Sequence, residues 1–240
     1  MIDRLKKQQE KLLVSERYSA WESVARKLAH EIKNPLTPIQ LSIDRLKDKF
    51  SKRISEGQDE FKNYLSTINR QIKDIESLVN EFSSFARMPT PIFKEMNLVD
   101  VVERSIDFYK LSTDNKINFK SYKKIVHFKY DEEQLYRVFI NLIKNSEDSI
   151  KERKEKDKNF KGKIDIEIEG DNDYIDISIV DNGIGIKDTS KIMTPYFTTK
   201  KNGTGLGLPI VNKIINEHKG EMTITSLKTG AKVQILFPTL

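Results

Sequence analysis

Residues 28 to 39 read LAHEIKNPLTPI, a stretch that contains His30, Glu31 and Asn34 together with Pro35 and Pro38. Residues four apart share one face of a helix, so we expect the His30 imidazole and the Asn34 amide to lie one above the other, with Glu31 beside them. Pro35 and Pro38 each remove a backbone donor and press on the carbonyl four residues back, which predicts that the one long helix of this region is kinked here and broken at the two prolines. The stretch is either a nucleophile with an orienting base and a polar partner, or a surface histidine on an amphipathic helix.

The first region has the apolar periodicity of a helical hairpin. Its first stripe consists of Leu5, Leu12, Trp21, Val24, Leu28, Ile32, Leu36, Ile39, Ile43, Leu46 and Phe50. After a polar turn over residues 51 to 60, the second stripe consists of Phe61, Leu65, Ile68, Ile72, Ile75, Val79, Phe82 and Phe85. Two helices cannot bury stripes this broad, so the sequence predicts a homodimer in which two hairpins form a four-helix bundle, with a coiled-coil lead-in.

The composition changes after a segment that contains two prolines. We therefore divide the chain into a lead-in and hairpin over 1 to 88, a linker over 89 to 96, and a second domain over 97 to 240. The predicted helices of this domain cover residues 97 to 111, with Asn97 as the cap, 131 to 153 and 206 to 218. The predicted strands lie within residues 116 to 122 and 126 to 131, in a hairpin over 162 to 181, and in a second hairpin that turns near 228 to 230. This order predicts an α+β two-layer sandwich.

Composition narrows the class of function. The chain has no cysteine, so disulfides, thiolate metal sites and cysteine nucleophiles are excluded, and a reducing cytoplasm is the expected location. Its net charge of +6 is spread over 42 basic and 36 acidic residues, which argues against nucleic-acid binding. No run approaches the roughly 20 apolar residues that span a bilayer, so we expect no membrane contact from this sequence, although a longer parent protein could be anchored in one.

The helix over 131 to 153 carries two asparagines on one face. Asn141 and Asn145 are four residues apart, and the opposite face is apolar. Two neutral amides can hold a hydrated Mg²⁺ and phosphate oxygens without adding negative charge. The alternative is that both asparagines simply face solvent.

A first glycine-rich motif, VDNGIGI, follows a strand at residues 180 to 186. Asp181 at the end of the strand could accept a hydrogen bond from an exocyclic amine such as that of adenine. Gly183 and Gly185 would let the backbone approach a ligand closely and adopt positive φ. A plain hairpin turn is the alternative, but a turn does not need the second glycine.

A second glycine-rich motif, TPYFTTKKNGTGLGLPIV, covers residues 194 to 211. Gly203, Gly205 and Gly207 precede or open a helix whose N-terminal amides can receive phosphates, and Lys200 lies just upstream. The spacing is neither that of a P-loop nor that of a dinucleotide fold. Each motif is weak alone, but the ordered set of paired asparagines, DxGxG and FTTK with GTGLGL is specific.

Together these motifs resemble the catalytic core of a two-component sensor histidine kinase, over residues 15 to 240. LAHEIKNPL resembles the H box of the dimerisation and phosphotransfer domain. NLIKN, DNGIGI, PYFTTK and GTGLGL resemble the N, first glycine, F and second glycine boxes of the ATP-binding domain shared with gyrase, Hsp90 and MutL. The LTPIQLS and TPYFTTK sequences are most similar to the nitrogen-regulation sensor kinases.

The resemblance implies roles for the matching residues of the first region. His30 would attack the γ-phosphate of ATP through one ring nitrogen, while Glu31 would accept a hydrogen bond from the other. The phosphoryl group would then pass to an aspartate in the receiver domain of a response regulator. Asn34 matches the position that orients water for dephosphorylation of that aspartate, which implies a phosphatase activity as well.

In the second region the resemblance implies an ATP and Mg²⁺ site. Asn145 would be the metal ligand, Asn141 would contact phosphate, and Asp181 would bind the adenine amino group. The residues expected to form the pocket and its lid are Gly183, Gly185, Phe197, Lys200, Gly203, Gly205 and Gly207. One departure is Asp148, which stands where many relatives carry a lysine or an arginine; Lys144 or the lid lysines could substitute for that charge.

Two other functions remain open at this point. The chain could be a nucleotide-dependent clamp like other members of the ATP-binding superfamily, although such a clamp has no use for the HE-plus-proline motif. It could also be a dimeric scaffold without catalysis, although every motif is intact. His127 and His218 are expected to be structural.

Overall fold

The structure is a computed structural model that describes residues 29, 31–51, 54, 57–86, 88–171, 173–186, 188–189, 191–194, 197–200 and 203–239. His30, Lys201 and the predicted coiled-coil lead-in lie outside these residues. The chain divides into two units, Met1–Pro89 and Thr90–Leu240, each with its own internal contacts. No helix in the described part of the chain is long and apolar enough to cross a bilayer.

The first unit contains the predicted helical hairpin. Helix α1 covers residues 31–50 and α2 covers Gln58–Ala86, with Gly57 at a φ of 75° between them. The predicted break at the two prolines is wrong, because α1 continues through both Pro35 and Pro38. The carbonyls that lose a partner belong to Glu31 and Asn34, both of which are exposed, so water can replace the missing donors.

The hairpin buries only half of its apolar stripes. One heptad series is buried where the helices meet, and its members are Leu36, Ile43, Leu65 and Ile72, with Phe61 packed against them. A second series remains between 39% and 46% exposed, and its members are Ile32, Ile39, Leu46, Ile68 and Ile75. Within the residues that the structure describes, the side chains of this second series are therefore only partly buried.

The second unit is an α+β two-layer sandwich, as predicted. Its helices are α3 (Leu98–Lys110), α4 (Glu132–Lys156) and α5 (Gly207–Glu217). Its strands are β1 (Lys94–Asn97), β2 (Lys116–Ser121), β3 (His127–Tyr130), β4 (Lys163–Gly170), β5 (Tyr174–Asp181), β6 (Glu221–Ser226) and β7 (Ala231–Pro238). Five strands form a sheet in the order β2-β4-β5-β7-β6, and β1 and β3 form a separate antiparallel pair.

The core lies between the sheet and the helices. Strict alternation along β4 and β5 sends the isoleucines to the helix side, where they are buried, and Asp165, Glu167 and Asp176 to the other face. Asp181, at the end of β5, falls on the same buried side as the isoleucines. Helix α4 packs against both α3 and α5. This arrangement places the polar face of α4 next to the end of β5 and the start of α5.

Residues 94–97, at the end of the segment predicted as a linker over 89 to 96, form strand β1. This strand pairs with β3, in the register Met96 to Phe128. Asn97 caps α3 as predicted, since its Oδ1 accepts from the Val99 amide at 3.2 Å, and the same oxygen accepts from Val126 at 2.9 Å. The sequence KEMN has little strand character, so its distant partner decides its structure.

Candidate functional site

Helix α4 supplies one wall of the candidate nucleotide site. Residues Asn141, Asn145 and Ser149 recur every four positions and therefore share the polar face of the helix. The Asn141 side-chain amide donates to the Arg137 carbonyl at 2.8 Å. Its oxygen lies 3.3 Å from a Cβ built on Gly207, which places Asn141 at the N-terminal end of α5.

Asp181 lies at the end of β5, only 7% exposed. Its Oδ1 accepts from the Gly183 amide at 2.8 Å and from the Ser149 hydroxyl at 3.3 Å. Burial raises the pKa of this carboxyl, and the hydrogen bonds from Gly183 and Ser149 act in the opposite direction. A buried, directional acceptor of this kind suits a ligand that carries a neutral amine.

Ser149 also holds the first glycine-rich motif against α4. Its hydroxyl accepts from the Ile184 amide at 3.1 Å while donating to Asp181. Gly183 lies directly on the helix, because a Cβ at this position would be 2.2 Å from the Ser149 Oγ. The close approach that the sequence suggested at Gly183 is therefore toward α4. Of the two glycines in this motif, Gly185 has a positive φ, at 74°, and Gly183 does not.

Three residues near the candidate nucleotide site were not identified from the sequence. Ser149 and Arg153 lie on α4, and Gly230 lies against the backbone of Asp181. Arg153 donates to the carbonyls of Asn182 and Gly183, at 2.7 and 3.2 Å, and its guanidinium lies 4.2 Å from the centre of the Phe160 ring. Ser149 and Arg153 continue the four-residue spacing of the two asparagines, and that spacing was the available signal.

The second glycine-rich motif brings a cation to α4. The Lys200 ammonium donates to the Asn145 Oδ1 at 2.8 Å and to the Asp148 Oδ2 at 2.8 Å. The Lys200 carbonyl in turn accepts from the Gly203 amide at 3.2 Å. The predicted site residues Asn145 and Lys200 are thus in direct contact, and Asp148 joins them.

The remaining predicted residues of this motif lie along the chain between β5 and α5. Phe197 is half-buried, and its amide donates to the Thr194 carbonyl at 3.1 Å. Gly205 has a φ of 69°. Helix α5 begins at Gly207 after Leu206, which has no polar side chain to cap the first amides, so these donors suit phosphate oxygens.

The candidate phospho-acceptor region lies in the other unit. Glu31 and Asn34 are both exposed on α1, within reach of solvent, and His30 lies outside the described residues. The structure therefore describes the two flanking side chains of the motif but not its imidazole.

The remaining histidines differ in exposure. His218 is buried: its Nε2 accepts from the Asp131 amide at 3.0 Å and its Nδ1 lies 2.8 Å from the Ile214 carbonyl. Burial lowers the pKa of this imidazole, so the neutral ring is favoured. His127 is exposed on β3. The His218 contacts are those of a structural residue.

Both units match known families. The family described as histidine kinase-, DNA gyrase B- and HSP90-like ATPase matches residues 130–240, and the His Kinase A (phospho-acceptor) domain matches residues 20–91. The chain belongs to the sensor histidine kinases. The two matches lie in the order, and at the motifs, that the sequence resemblance indicated.

Two relatives of this kinase core carry nitrogen-regulation names. A sensor histidine kinase of Rickettsia felis described as NtrY-like is 41% identical over 241 residues, which is 99% of this chain and 39% of that protein. The nitrogen regulation protein NtrY of Azorhizobium caulinodans is 36% identical over 91% of this chain and 28% of its own length. The kinase core thus spans about two fifths or less of these relatives.

Solved histidine kinases share the fold. The structure of histidine kinase ThkA in complex with response regulator protein TrrA has a TM-score of 0.65 at 25% identity, covering 99% of this chain and 67% of that one. Full-length ShkA in complex with AMPPNP has a TM-score of 0.68 at 18% identity over 91% of this chain and 46% of that one, a likeness of fold.

Proposed function

We propose that this kinase core transfers the γ-phosphoryl group of ATP to His30, and then to an aspartate in the receiver domain of a response regulator. The observation that carries the proposal is the cluster around α4, where Asn145, Asp181 and the two glycine-rich motifs meet, in a chain whose HEIKNP motif has Glu31 and Asn34 exposed on α1. The relative ThkA, solved with the response regulator TrrA, supports the choice of acceptor.

The residues around α4 fit a nucleotide and a divalent cation. The Lys200 ammonium lies on an amide oxygen and a carboxylate oxygen, which shows that this position accommodates positive charge. In our proposal Asn145 binds Mg²⁺, Asn141 contacts phosphate and Asp181 binds the adenine amine. Bound Mg²⁺ would neutralise charge on the phosphate oxygens, which is the chemistry that the protein needs from it.

The transfer then depends on the residues of α1. One ring nitrogen of His30 forms a bond to the γ-phosphorus as the bond from that phosphorus to the ADP oxygen breaks. Glu31 accepts a hydrogen bond from the other ring nitrogen and stabilises the positive charge that develops on the imidazole. In the second step the N–P bond breaks as a carboxylate oxygen of the receiver aspartate bonds to phosphorus.

We also infer a phosphatase activity for Asn34. Its amide is exposed on α1, four residues after His30 in the sequence, so it can orient a water toward an aspartyl phosphate held against α1. An Asn34→Ala protein that keeps its kinase activity should dephosphorylate the regulator at least about tenfold more slowly. Unchanged dephosphorylation would remove this part of the proposal.

We infer a homodimer from the exposed heptad series of the hairpin. In the described part of the hairpin, five apolar residues with the same seven-residue spacing are about two fifths exposed, and a second hairpin would cover them and complete a four-helix bundle. The helical region up to residue 88 would then supply dimerisation and phosphate acceptance, and the second domain would supply ATP. We place this work in the cytoplasm, where ATP is available.

Incubation with γ-labelled ATP tests the kinase proposal. We expect an acid-labile label on the wild-type chain that is lost in His30→Ala and retained in His127→Ala, which removes an exposed imidazole from β3. Nucleotide binding without label would favour the clamp function, and absence of both would favour the scaffold.

A further inference from the structure

We propose that Lys200 is an internal competitor of the divalent cation at Asn145, and that Asp148 determines how strongly it competes. The inference rests on the proposed nucleotide site but goes beyond it, since it concerns the state of the site before nucleotide binds. Two contacts support it, namely the 2.8 Å hydrogen bonds from the Lys200 ammonium to the Asn145 amide oxygen and to the Asp148 carboxylate.

The competition follows from the single oxygen that both cations need. An ammonium has three donors and no acceptor, and one of its donors is directed at the Asn145 Oδ1. A Mg²⁺ ion bound to the same oxygen would lie roughly 2.1 Å from it. Two positive charges cannot share that space, so the Lys200 ammonium must leave Asn145 when the metal arrives.

Asp148 is the residue that holds the ammonium in place. Asn145 and Asp148 are three residues apart on α4 and share its polar face. The Lys200 and Asp148 side chains are 35% and 39% exposed, so their charges are partly shielded from solvent. Asp148, which stands where many relatives have a basic residue, is thus the counter-ion of Lys200, which comes from the second glycine-rich motif.

The backbone around Lys200 fixes the direction of its side chain. The Lys200 amide donates to the Thr198 Oγ1 at 3.1 Å, and a Cβ built on Gly203 would lie 3.1 Å from the Lys200 Cβ. Thr198 and Gly203, which flank Lys200 in the sequence, therefore both contact it. The contact with Asn145 depends on this local turn as well as on the ion pair.

The first test measures the ion pair without nucleotide. Amine-specific labelling of the full chain, read by mass spectrometry, should be slow at Lys200 in the wild type and about three- to tenfold faster in Asp148→Asn. Exposed Lys144 on the same helix is the internal control and should label at one rate in both proteins. Equal labelling of Lys200 in both proteins would overturn the proposal.

The second test measures the competition. Binding of Mn²⁺ in the presence of a non-hydrolysable ATP analogue is followed by electron paramagnetic resonance. Asp148→Asn should bind Mn²⁺ about three- to tenfold more tightly than wild type. The same substitution should not change Mn²⁺ affinity in a protein that also carries Lys200→Met. Weaker Mn²⁺ binding in Asp148→Asn would show that Asp148 is itself a metal ligand and would overturn the proposal. Failure of the wild-type chain to bind the analogue would instead refute the proposed function.

Glu147→Gln serves as the matched control in both tests. Glu147 precedes Asp148 on α4, but its carboxylate accepts from Thr113 and Asn115, at 2.8 and 2.6 Å, on the other side of the helix. We expect neither Lys200 labelling nor Mn²⁺ affinity to change in this variant. A Glu147→Gln effect as large as that of Asp148→Asn would contradict a specific role for the Lys200 ion pair.

Discussion

The backbones of Gly230 and Asp181 meet so closely that a Cβ built on Gly230 would lie 1.8 Å from the Asp181 carbonyl oxygen. Gly230 has a φ of 84°, and its carbonyl accepts from the Leu227 amide at 3.0 Å in the turn between β6 and β7. The last hairpin therefore supports the backbone of the residue that we assign to adenine binding.

We expect Gly230→Ala to destabilise the second unit by about 2–4 kcal/mol, because it adds both left-handed strain and a collision with backbone. In calorimetry of the full chain, the unfolding transition of the second unit is the one whose midpoint temperature a nucleotide analogue raises. The midpoint of this transition should be lower in Gly230→Ala than in wild type. Gly207→Ala, at the start of α5, is the control: its Cβ would meet only the flexible end of Asn141, at 3.3 Å. A Gly230→Ala midpoint equal to that of wild type would show that the contact can relax.

We expect Asp181→Asn to lose nucleotide affinity by at least about tenfold without losing folding stability near neutral pH. The reason is that burial raises the pKa of Asp181 above its ordinary value of 3.8, so the folded state holds this proton more tightly than the unfolded state. The stabilisation that this carboxyl contributes is present below pH 3.8 and is lost as pH rises through the raised pKa.

The stability of Asp181→Asn relative to wild type should therefore increase as pH rises from about 3.8 toward neutrality. Denaturant titrations of both proteins across this range, with analogue binding measured by calorimetry at neutral pH, check both halves of the prediction. A pH-independent difference in stability would show that the carboxyl is well solvated after all.

We expect the double variant Ile39→Glu and Ile68→Glu to be monomeric, because it places charges on the uncovered heptad series of both helices. Analytical ultracentrifugation should give half the mass of the wild-type protein. Leu41→Glu is the control, since Leu41 is 54% exposed but lies outside both heptad series. A dimeric double variant would place the dimer interface elsewhere.

We expect the stability contributed by His218 to fall as pH drops below its ordinary pKa of 6.5, because burial lowers the pKa of the folded imidazole. The contribution is present above pH 6.5 and is lost as pH falls through the lowered pKa. His218→Leu should be about 1–2 kcal/mol less stable than wild type at pH 7.5, with the difference shrinking toward pH 5. His127→Leu, on an exposed position of β3, is the control for the calorimetric comparison.

Much of the local structure could be predicted because it depends on residues near one another in the chain. The apolar spacing predicted α4 over 131 to 153 and α5 over 206 to 218, and the structure has Glu132–Lys156 and Gly207–Glu217. The same reasoning failed at Pro35 and Pro38, where exposure of the freed carbonyls lets α1 continue. It also missed β1, whose partner β3 lies some thirty residues away.

The motifs predicted candidate site residues but not the contacts among them. The paired asparagines, Asp181 and the glycine-rich motifs were recognised from spacing and order alone. Ser149 and Arg153 continue the same four-residue spacing, but Gly230 carried no comparable signal, because its role depends on the Asp181 backbone in another element.

The amino-acid sequence by itself determined the helices, the strands other than β1, their order and the family, because hydrophobic period and motif spacing are local properties. Only the tertiary structure decided that Gly230 supports Asp181 and that the Lys200 ammonium lies between Asn145 and Asp148. These contacts join residues about fifty positions apart, and their geometry depends on strand register and helix packing, which are set when the whole domain buries its core.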